Sequence, residues 1–261
     1  MERARGVRRA FSVRECQRGV LLALLEQPRC AWKLAVFDAR GGEVLALCLR
    51  PRDLARCGVT LAQRLEDAAR PRVVGVPCVY VVVPAAETSD AVARDLAPAA
   101  AGGRYDAAVV GVLGSADEHA VAALAEALHR HHAARAFRSL VALNADFLSL
   151  ADTLFVTGAG VVRDPSSATY CALRDPALTD ARAKALTDAI AERLFCAVAT
   201  LGVVPVIRAQ AATAAEAVAR TLHTRLQEHM RERQASSSSE TTATAAAAAQ
   251  GVCGCAHPDE P

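Results

Sequence analysis

Cys78-Val79-Tyr80-Val81-Val82-Val83-Pro84 is the stretch whose reading decides the fold. Its apolar and aromatic residues run without a polar break, so the strand they predict is covered on both faces, as in a parallel sheet. Pro84 ends it, because proline offers no N–H to a ladder. A helix is predicted next, over Thr88–Leu96, with Thr88 or Ser89 as its cap.

Working outward, the same alternation of strand and helix recurs. Upstream, Trp32–Phe37 reads as a buried strand that ends in Asp38 and a Gly41-Gly42 turn. Val44–Leu49 reads as another strand, and Pro51–Arg56 as a short helix closed by Gly58. Nearer the start, Ser12 and Glu15 match a capping box, Phe11 and Cys16 match a hydrophobic staple, and the helix they open stops before Pro28. Downstream, Asp106–Leu113 is a strand, Asp117–Ala134 a helix, Phe137–Leu143 a continuation as helix or turn, and Thr153–Thr157 a fifth strand. Strands joined through helices imply right-handed crossovers. The expected fold is α/β: a Rossmann-like, doubly wound, mostly parallel five-stranded sheet.

After residue 157 the pattern changes. Thr179–Leu201 predicts a long helix with a stripe of Leu186, Ile190, Leu194 and Val198, stopped by Gly202. Val203–Ile207 predicts a short edge strand, marked as such by Pro205. Thr213 and Glu216 cap a last helix, along which Val218, Leu222, Leu226 and Met230 repeat. From Gln234 the chain is rich in Ser, Thr and Ala and is expected to be disordered. The organisation read from this is a first domain over 11–157, part of a second α/β domain over 158–233, and a low-complexity tail over 234–261.

Composition removes several classes of function. Among 261 residues, 30 Lys and Arg face 28 Asp and Glu, a net charge of +2, with aromatics at 4%. Bulk attraction to nucleic acid and a base-stacking surface are both excluded. Lysine stands only at Lys33 and Lys184, so arginine carries the rest of the positive charge. The nine cysteines are scattered through apolar runs and are expected to be reduced. The longest apolar runs, Val20–Leu25 and Ala197–Ile207, are too short to span a bilayer. Met1–Ala10 holds four Arg, which reads as a solvated basic arm, with a mitochondrial transit peptide as the alternative.

No catalytic constellation, metal site or cofactor site emerges. Gly158-Ala159-Gly160 follows a strand, but Arg163 stands where a dinucleotide turn needs glycine, and Asp38–Gly42 lacks that fingerprint too. His129-Arg130-His131-His132 point in different directions around a helix end. Cys253, Cys255 and His257 offer three metal ligands in a tail without structure. The chain is therefore expected not to be an enzyme.

Several stretches together resemble the Sec/Munc (SM) family of SNARE-binding vesicle-fusion proteins, and its Sly-type ER–Golgi branch most. They are Ser12–Gln17, Trp32–Asp38, Leu54–Leu61, Val76–Pro84, Asp95-Leu96, Leu194–Arg208 and Thr213–Glu216. The last two carry a specific order: helix, glycine stop, edge strand with proline, capped helix. The resemblance implies a non-catalytic regulator of ER-to-Golgi transport, cytoplasmic, monomeric, and attached to membranes through a Golgi syntaxin. It implies a Rossmann-like first domain that binds no nucleotide, a second domain built from two parts of the chain, and a third that faces the first across a cleft for an assembled SNARE bundle. On that pattern the third domain and the returning part of the second are missing here. Two sites carry over. An outer pocket for the syntaxin N-terminal peptide falls on Val121, Leu124, Ala125, Leu128, Phe137, Leu140 and Val141, with Ala125 as the hollow. A cleft face falls on Asp38, Arg50, Asp53 and Arg56. Asn144–Phe147 looks inserted relative to the family. The competing readings are a Rossmann-like nucleotide-binding enzyme and a truncated remnant without SNARE function.

Overall fold

The structure, a computed structural model, describes residues 12–73, 75–114, 116–157 and 169–250. The basic arm, Phe11, Gly158-Ala159-Gly160 with Arg163, and the Cys253–His257 group lie outside the described residues. The chain divides into two compact units, Met1–Val206 and Ile207–Pro261.

The first unit is built on five parallel strands: β1 (Lys33–Phe37), β2 (Val59–Arg64), β3 (Cys78–Val82), β4 (Ala108–Val112) and β5 (Phe137–Ala142). Their order in the sheet is β2-β1-β3-β4-β5. Every residue of β3 and β4 is buried, as unbroken apolar runs require in the middle of such a sheet. Alternate side chains go to opposite faces. Leu34, Val36, Cys78, Tyr80, Val82 and Val110 pack with α4 (Ala86–Asp95) and α5 (Glu118–Arg130) on one face. Ala35, Val79, Val81 and Val109 pack with α1 (Val13–Leu25) and α2 (Ala39–Cys48) on the other. The short α3 (Pro51–Arg56) leads into β2, after Gly58 turns the chain with a φ of +81°.

Two predicted segments change type and a third changes place. Val44–Leu49 belongs mostly to α2, not to a strand. Asp38 caps that helix by accepting from the Gly41 N–H at 2.7 Å, and Gly41, Val44, Leu45 and Cys48 are its buried residues, a helical spacing. The glycines read as a turn are the helix's first turn, since a Cβ at Gly41 would collide with the carbonyl oxygen of Val81. Phe137–Leu143 supplies the edge strand β5 instead of helix or turn. Thr153–Thr157 holds a strand, β7 (Leu154–Val156), but it pairs antiparallel with β6 (Leu148–Ala151), apart from the main sheet. The place in the sheet goes instead to β2, whose only buried residue is Val59; its apolar Leu61 and Ala62 are exposed, so no continuous apolar run marks it as a strand of the sheet. The helix expected from Thr88 starts earlier, at Ala86, behind Ala85, which makes no side-chain cap bond.

Asn144–Phe147 is fully integrated rather than appended. Ala145 and Phe147 are each 0% exposed, and the Asn144 carbonyl accepts from Thr200 Oγ1 at 2.6 Å. Asp146 pairs with Arg40 at 2.7 Å and Arg193 at 3.5 Å. Gln17, itself buried, donates from Nε2 to the Ala145 and Phe147 carbonyls, while its Oε1 accepts from Ser149 Oγ and Cys48 Sγ.

Beyond the hairpin lie α6 (Thr169–Leu173) and α7 (Asp180–Leu201), the latter capped by Thr179 and closed by Gly202 at φ +65°. The side of α7 that is buried is Thr187, Ala191, Phe195, Cys196 and Ala197, so the Leu186/Ile190/Leu194/Val198 stripe is offset from the true buried face. Val203–Ile207 forms no strand among the described residues. In the second unit, α8 (Ala214–Gln250) continues through the Ser, Thr and Ala residues expected to be disordered. Alanine's helix propensity, the highest of any residue, accounts for that continuation. Glu216 accepts from the Ala212 N–H at 2.7 Å, one residue earlier than the predicted capping box.

Candidate functional site

The proposed peptide pocket falls on α5 and β5, at the open edge of the sheet. Asp117 caps α5 by accepting from the Ala120 N–H at 2.7 Å. This sets the rotation of the helix: Leu124, Ala127 and Leu128 go down into the core. Val121 and Ala125, four residues apart, share the outward face, and Val121 is 44% exposed. On β5, a bulge between Ala108 and Val109 of the β4 pairing puts Phe137 and Leu140 on the same face although an odd number of positions separates them. Both pack against the core beneath α5. Val141 then points to the opposite face, toward the α1–α2 side.

The seven residues therefore divide. Leu124 and Leu140 meet in the wall of a narrow apolar crevice between α4 and α5, together with Pro84, Val92, Val112 and Ala120. Leu128 and Phe137 lie farther down the same face. Val121 and Ala125 look outward, and Val141 is separated from the rest by the sheet. Pro84 and Ala120 were not anticipated as wall residues. Pro84 reads locally only as a strand stop, and Ala120 only as part of the helix's first turn.

The four cleft residues do not form one strip. Asp38 sits at the C-terminal end of β1, and Arg50, Asp53 and Arg56 surround α3 at the opposite end of α2, a helix about 15 Å long. Asp38 is engaged by the backbone: one carboxylate oxygen accepts from Gly41 and the other from Val83, both at 2.7 Å. Burial pushes its pKa up, against those two N–H groups, which pull it down. Asp53 is 4% exposed, accepting from the Arg50 N–H at 3.0 Å and from Arg18 Nη2 at 2.9 Å. The Arg50 N–H, then Arg18, hold its carboxyl below the ordinary range. Only Arg50 and Arg56 present free charge to solvent.

Asp38 also bears on nucleotide binding. In a 2-1-3-4-5 sheet the topological switch lies between β1 and β3, where doubly wound proteins bind ligands at strand ends. Here the helix N-terminus at that point is occupied by the chain's own carboxylate, and the same carboxylate bridges to β3's end at Val83. A phosphate would meet a negative charge where a Rossmann site offers open N–H groups. Among the described residues no group of three or more His, Cys, Asp or Glu could hold a metal. His131 is drawn instead to Asp90, at 2.8 Å.

What remains is a doubly wound α/β scaffold whose candidate site is an outward helix face beside a strand edge that is unpaired among the described residues, a surface suited to another polypeptide. The model of the Sec1 family matches residues 33–248, most of the chain, and the protein belongs to that family. The rice (Oryza sativa subsp. japonica) SEC1 family transport protein SLY1 is 36% identical over 200 residues, covering 77% of this chain and 30% of the relative. Protein sly1 of Schizosaccharomyces pombe is 30% identical over 207 residues, covering 76% of this chain and 29% of the relative. The chain thus spans less than a third of the length of these relatives. Among solved structures, Sly1p in complex with an N-terminal peptide of Sed5p aligns with a TM-score of 0.74 at 23% identity, over 85% of this chain and 39% of the other. The Unc18–syntaxin 1 complex from Monosiga brevicollis aligns with a TM-score of 0.70 at 20% identity, over 85% and 37%. At those identities the structural likeness speaks for the fold.

Proposed function

We propose that this chain is a non-catalytic regulator of vesicle transport that binds the N-terminal peptide of a syntaxin-type SNARE on α5 and the β5 edge, and that it acts between endoplasmic reticulum and Golgi. The observation that carries the reading is the outward pair Val121 and Ala125 beside a strand that, among the described residues, pairs only with β4. Membership of the Sec1 family supports it, as does the similarity to a relative named as a transport protein and to a Sly1p structure solved with an N-terminal peptide of Sed5p. Ala125 leaves room that a larger side chain would fill, and burying one aromatic anchor there would contribute about 1.5–3 kcal/mol. Main-chain bonds to the β5 edge and polar flanks would supply the remainder.

Among the described residues no helix is long and apolar enough to cross a membrane. In this proposal the chain is cytoplasmic and reaches ER and Golgi membranes through its SNARE. The cleft role is carried by Arg50 and Arg56 alone, since Asp38 and Asp53 serve the fold, and exposed charges of this kind contribute little singly.

The test is fluorescence anisotropy with N-terminal peptides of Golgi and plasma-membrane syntaxins. Saturable binding of the Golgi peptide, lost in Val121→Asp with the circular dichroism spectrum unchanged, is the expected result. Equal binding of both peptides would remove the Golgi assignment, and unchanged binding by Val121→Asp would remove the site.

A further inference from the structure

At the N-terminal ends of β4 and β5, opposite the crevice described above, lies a second concavity of about 750 Å³. Its floor is apolar and firmly held: Leu96 is 2% exposed, Tyr105 2% and Ala136 8%. The Tyr105 hydroxyl is already committed to Gln63 Oε1 at 3.1 Å. Around this floor stand His132, Arg135 and Arg138, all exposed. Among the described residues none of these three side chains has a hydrogen-bond or ion-pair partner.

Three basic groups in the same region are engaged. Arg130 pairs with Asp90 and Glu126, His131 with Asp90, and Arg104 with Asp95. The single carboxylate in the lining, Asp106, accepts from the Gly75 N–H at 2.8 Å. Two arginines therefore face one carboxylate that already has a donor. The backbone adds a second observation. His132 takes a φ of +53° just past α5, while the Ala133 N–H reaches back to the Leu128 carbonyl at 2.8 Å. That is the left-handed position of a helix C-terminus, where glycine would sit with less strain, and here it carries an imidazole to the rim.

We infer that this concavity is a docking site for an acidic peptide segment, one that sets carboxylates against Arg135 and Arg138 and an apolar side chain on the Leu96–Tyr105–Ala136 floor. Guanidinium forks match carboxylates in a two-point geometry. A free phosphate would leave the apolar floor uncovered, and a flat anionic bilayer would not reach a recessed one. The inference concerns a different end of the sheet from the syntaxin site and does not rest on that reading.

The experiment uses the full chain and a fluorescein-labelled peptide, Glu-Leu-Glu-Asp-Leu-Glu, followed by anisotropy at low ionic strength. Saturable binding is expected, with no binding of the peptide in which lysine replaces each acid. Added salt weakens it, because ion pairs at an open rim are screened. Arg135→Glu/Arg138→Glu abolishes it, and the milder Arg135→Gln/Arg138→Gln loses about tenfold or more, as expected for hydrogen bonds to charged groups. Val121→Asp leaves it unchanged, which separates this site from the syntaxin site. Both double variants alter exposed side chains, and their thermal unfolding should match the wild type. Undiminished affinity in either folded double variant overturns the assignment. So does a chain that ignores the peptide yet binds inorganic phosphate or phosphatidylserine vesicles in an Arg135- and Arg138-dependent way, which would reassign the site to that ligand.

Discussion

Asp95 is 4% exposed, and its carboxylate accepts from Arg70 Nη1 at 2.6 Å and from the Tyr80 hydroxyl at 3.0 Å, with Arg104 Nε at 3.3 Å. Arg70 is as deeply placed and also donates to the Leu65 carbonyl, so one ion pair fastens the segment after β2 to the end of α4. Burial works against the Arg70 charge, and the hydrogen bond and charge of Asp95, with Tyr105 and Tyr80, together more than restore it. Asp95-Leu96 is one of the stretches that resemble the family, yet nothing in the local sequence says that its partner is Arg70. Asp95→Ala should cost about 3–5 kcal/mol in urea unfolding, because it strands a buried guanidinium. A loss under 1 kcal/mol would mean that water reaches Arg70 there. Asp53 provides a pH test. Its folded-state pKa lies below the ordinary 3.8, through the Arg50 N–H and then Arg18. A depressed carboxyl stabilises the fold above the unfolded value and loses that contribution as pH falls through the folded one. The stability advantage of wild type over Asp53→Asn should therefore be full near neutrality and close below pH 3.8. An advantage that persists at lower pH would assign it to shape rather than charge.

Elements were legible where burial was two-sided and obscure at the sheet's margins. β1, β3 and β4 read correctly because each is covered on both faces, so every residue reports the sheet. β2 and β5 are edge strands. The former buries only Val59, and the latter is interrupted by a bulge that breaks its period. α2 was misread because Val44–Leu49 is apolar enough for a strand, and its glycines look like a turn until the contact of Gly41 with β3 is known. The candidate site inherits this limit. Apolar spacing places Leu124 and Val121 on one helix, but only the packing of α5 shows that the first is core, at 6% exposure, and the second is surface. Leu124→Lys should consequently unfold the domain, losing about 3 kcal/mol or more, since it replaces buried hydrocarbon with a charge. Val121→Asp should change the unfolding free energy read from the urea curve by no more than about 0.5 kcal/mol. A folded Leu124→Lys chain would show that α5 can rotate and that its inward face is available to a ligand.

At the scale of the whole molecule, the open question is which parts unfold together, and the cysteines answer it. Among the described residues the seven cysteines are all reduced, with Cys171 exposed and Cys48, Cys78 and Cys196 buried. Cys48 lies in the core beneath α1 and α2, Cys78 in the core beneath α4 and α5, and Cys196 in α7. Burial raises the Cys48 thiol to about 11 and the Cys78 thiol further, so neither is a competent nucleophile while the sheet is closed. Because β3 contributes to both cores, opening one face exposes the backbone of the other, and Cys48 and Cys78 should become reactive at the same urea concentration. From the change of sequence pattern we propose a domain boundary after residue 157, which falls inside the first compact unit, Met1–Val206. α7 lies outside the sheet, and much of its buried side is small, Ala191, Cys196 and Ala197, with little area to hold it. Cys196 should therefore be labelled at a lower urea concentration than the other two, while Cys171 is labelled without denaturant. Pulsed alkylation followed by peptide mass spectrometry reads each site separately. Simultaneous labelling of Cys196 with Cys48 and Cys78 would overturn the proposed boundary and make α7 part of the first cooperative unit, which as a compact unit extends to Val206. Earlier labelling of Cys78 than Cys48 would mean that the two faces of the sheet fold independently, against the topology.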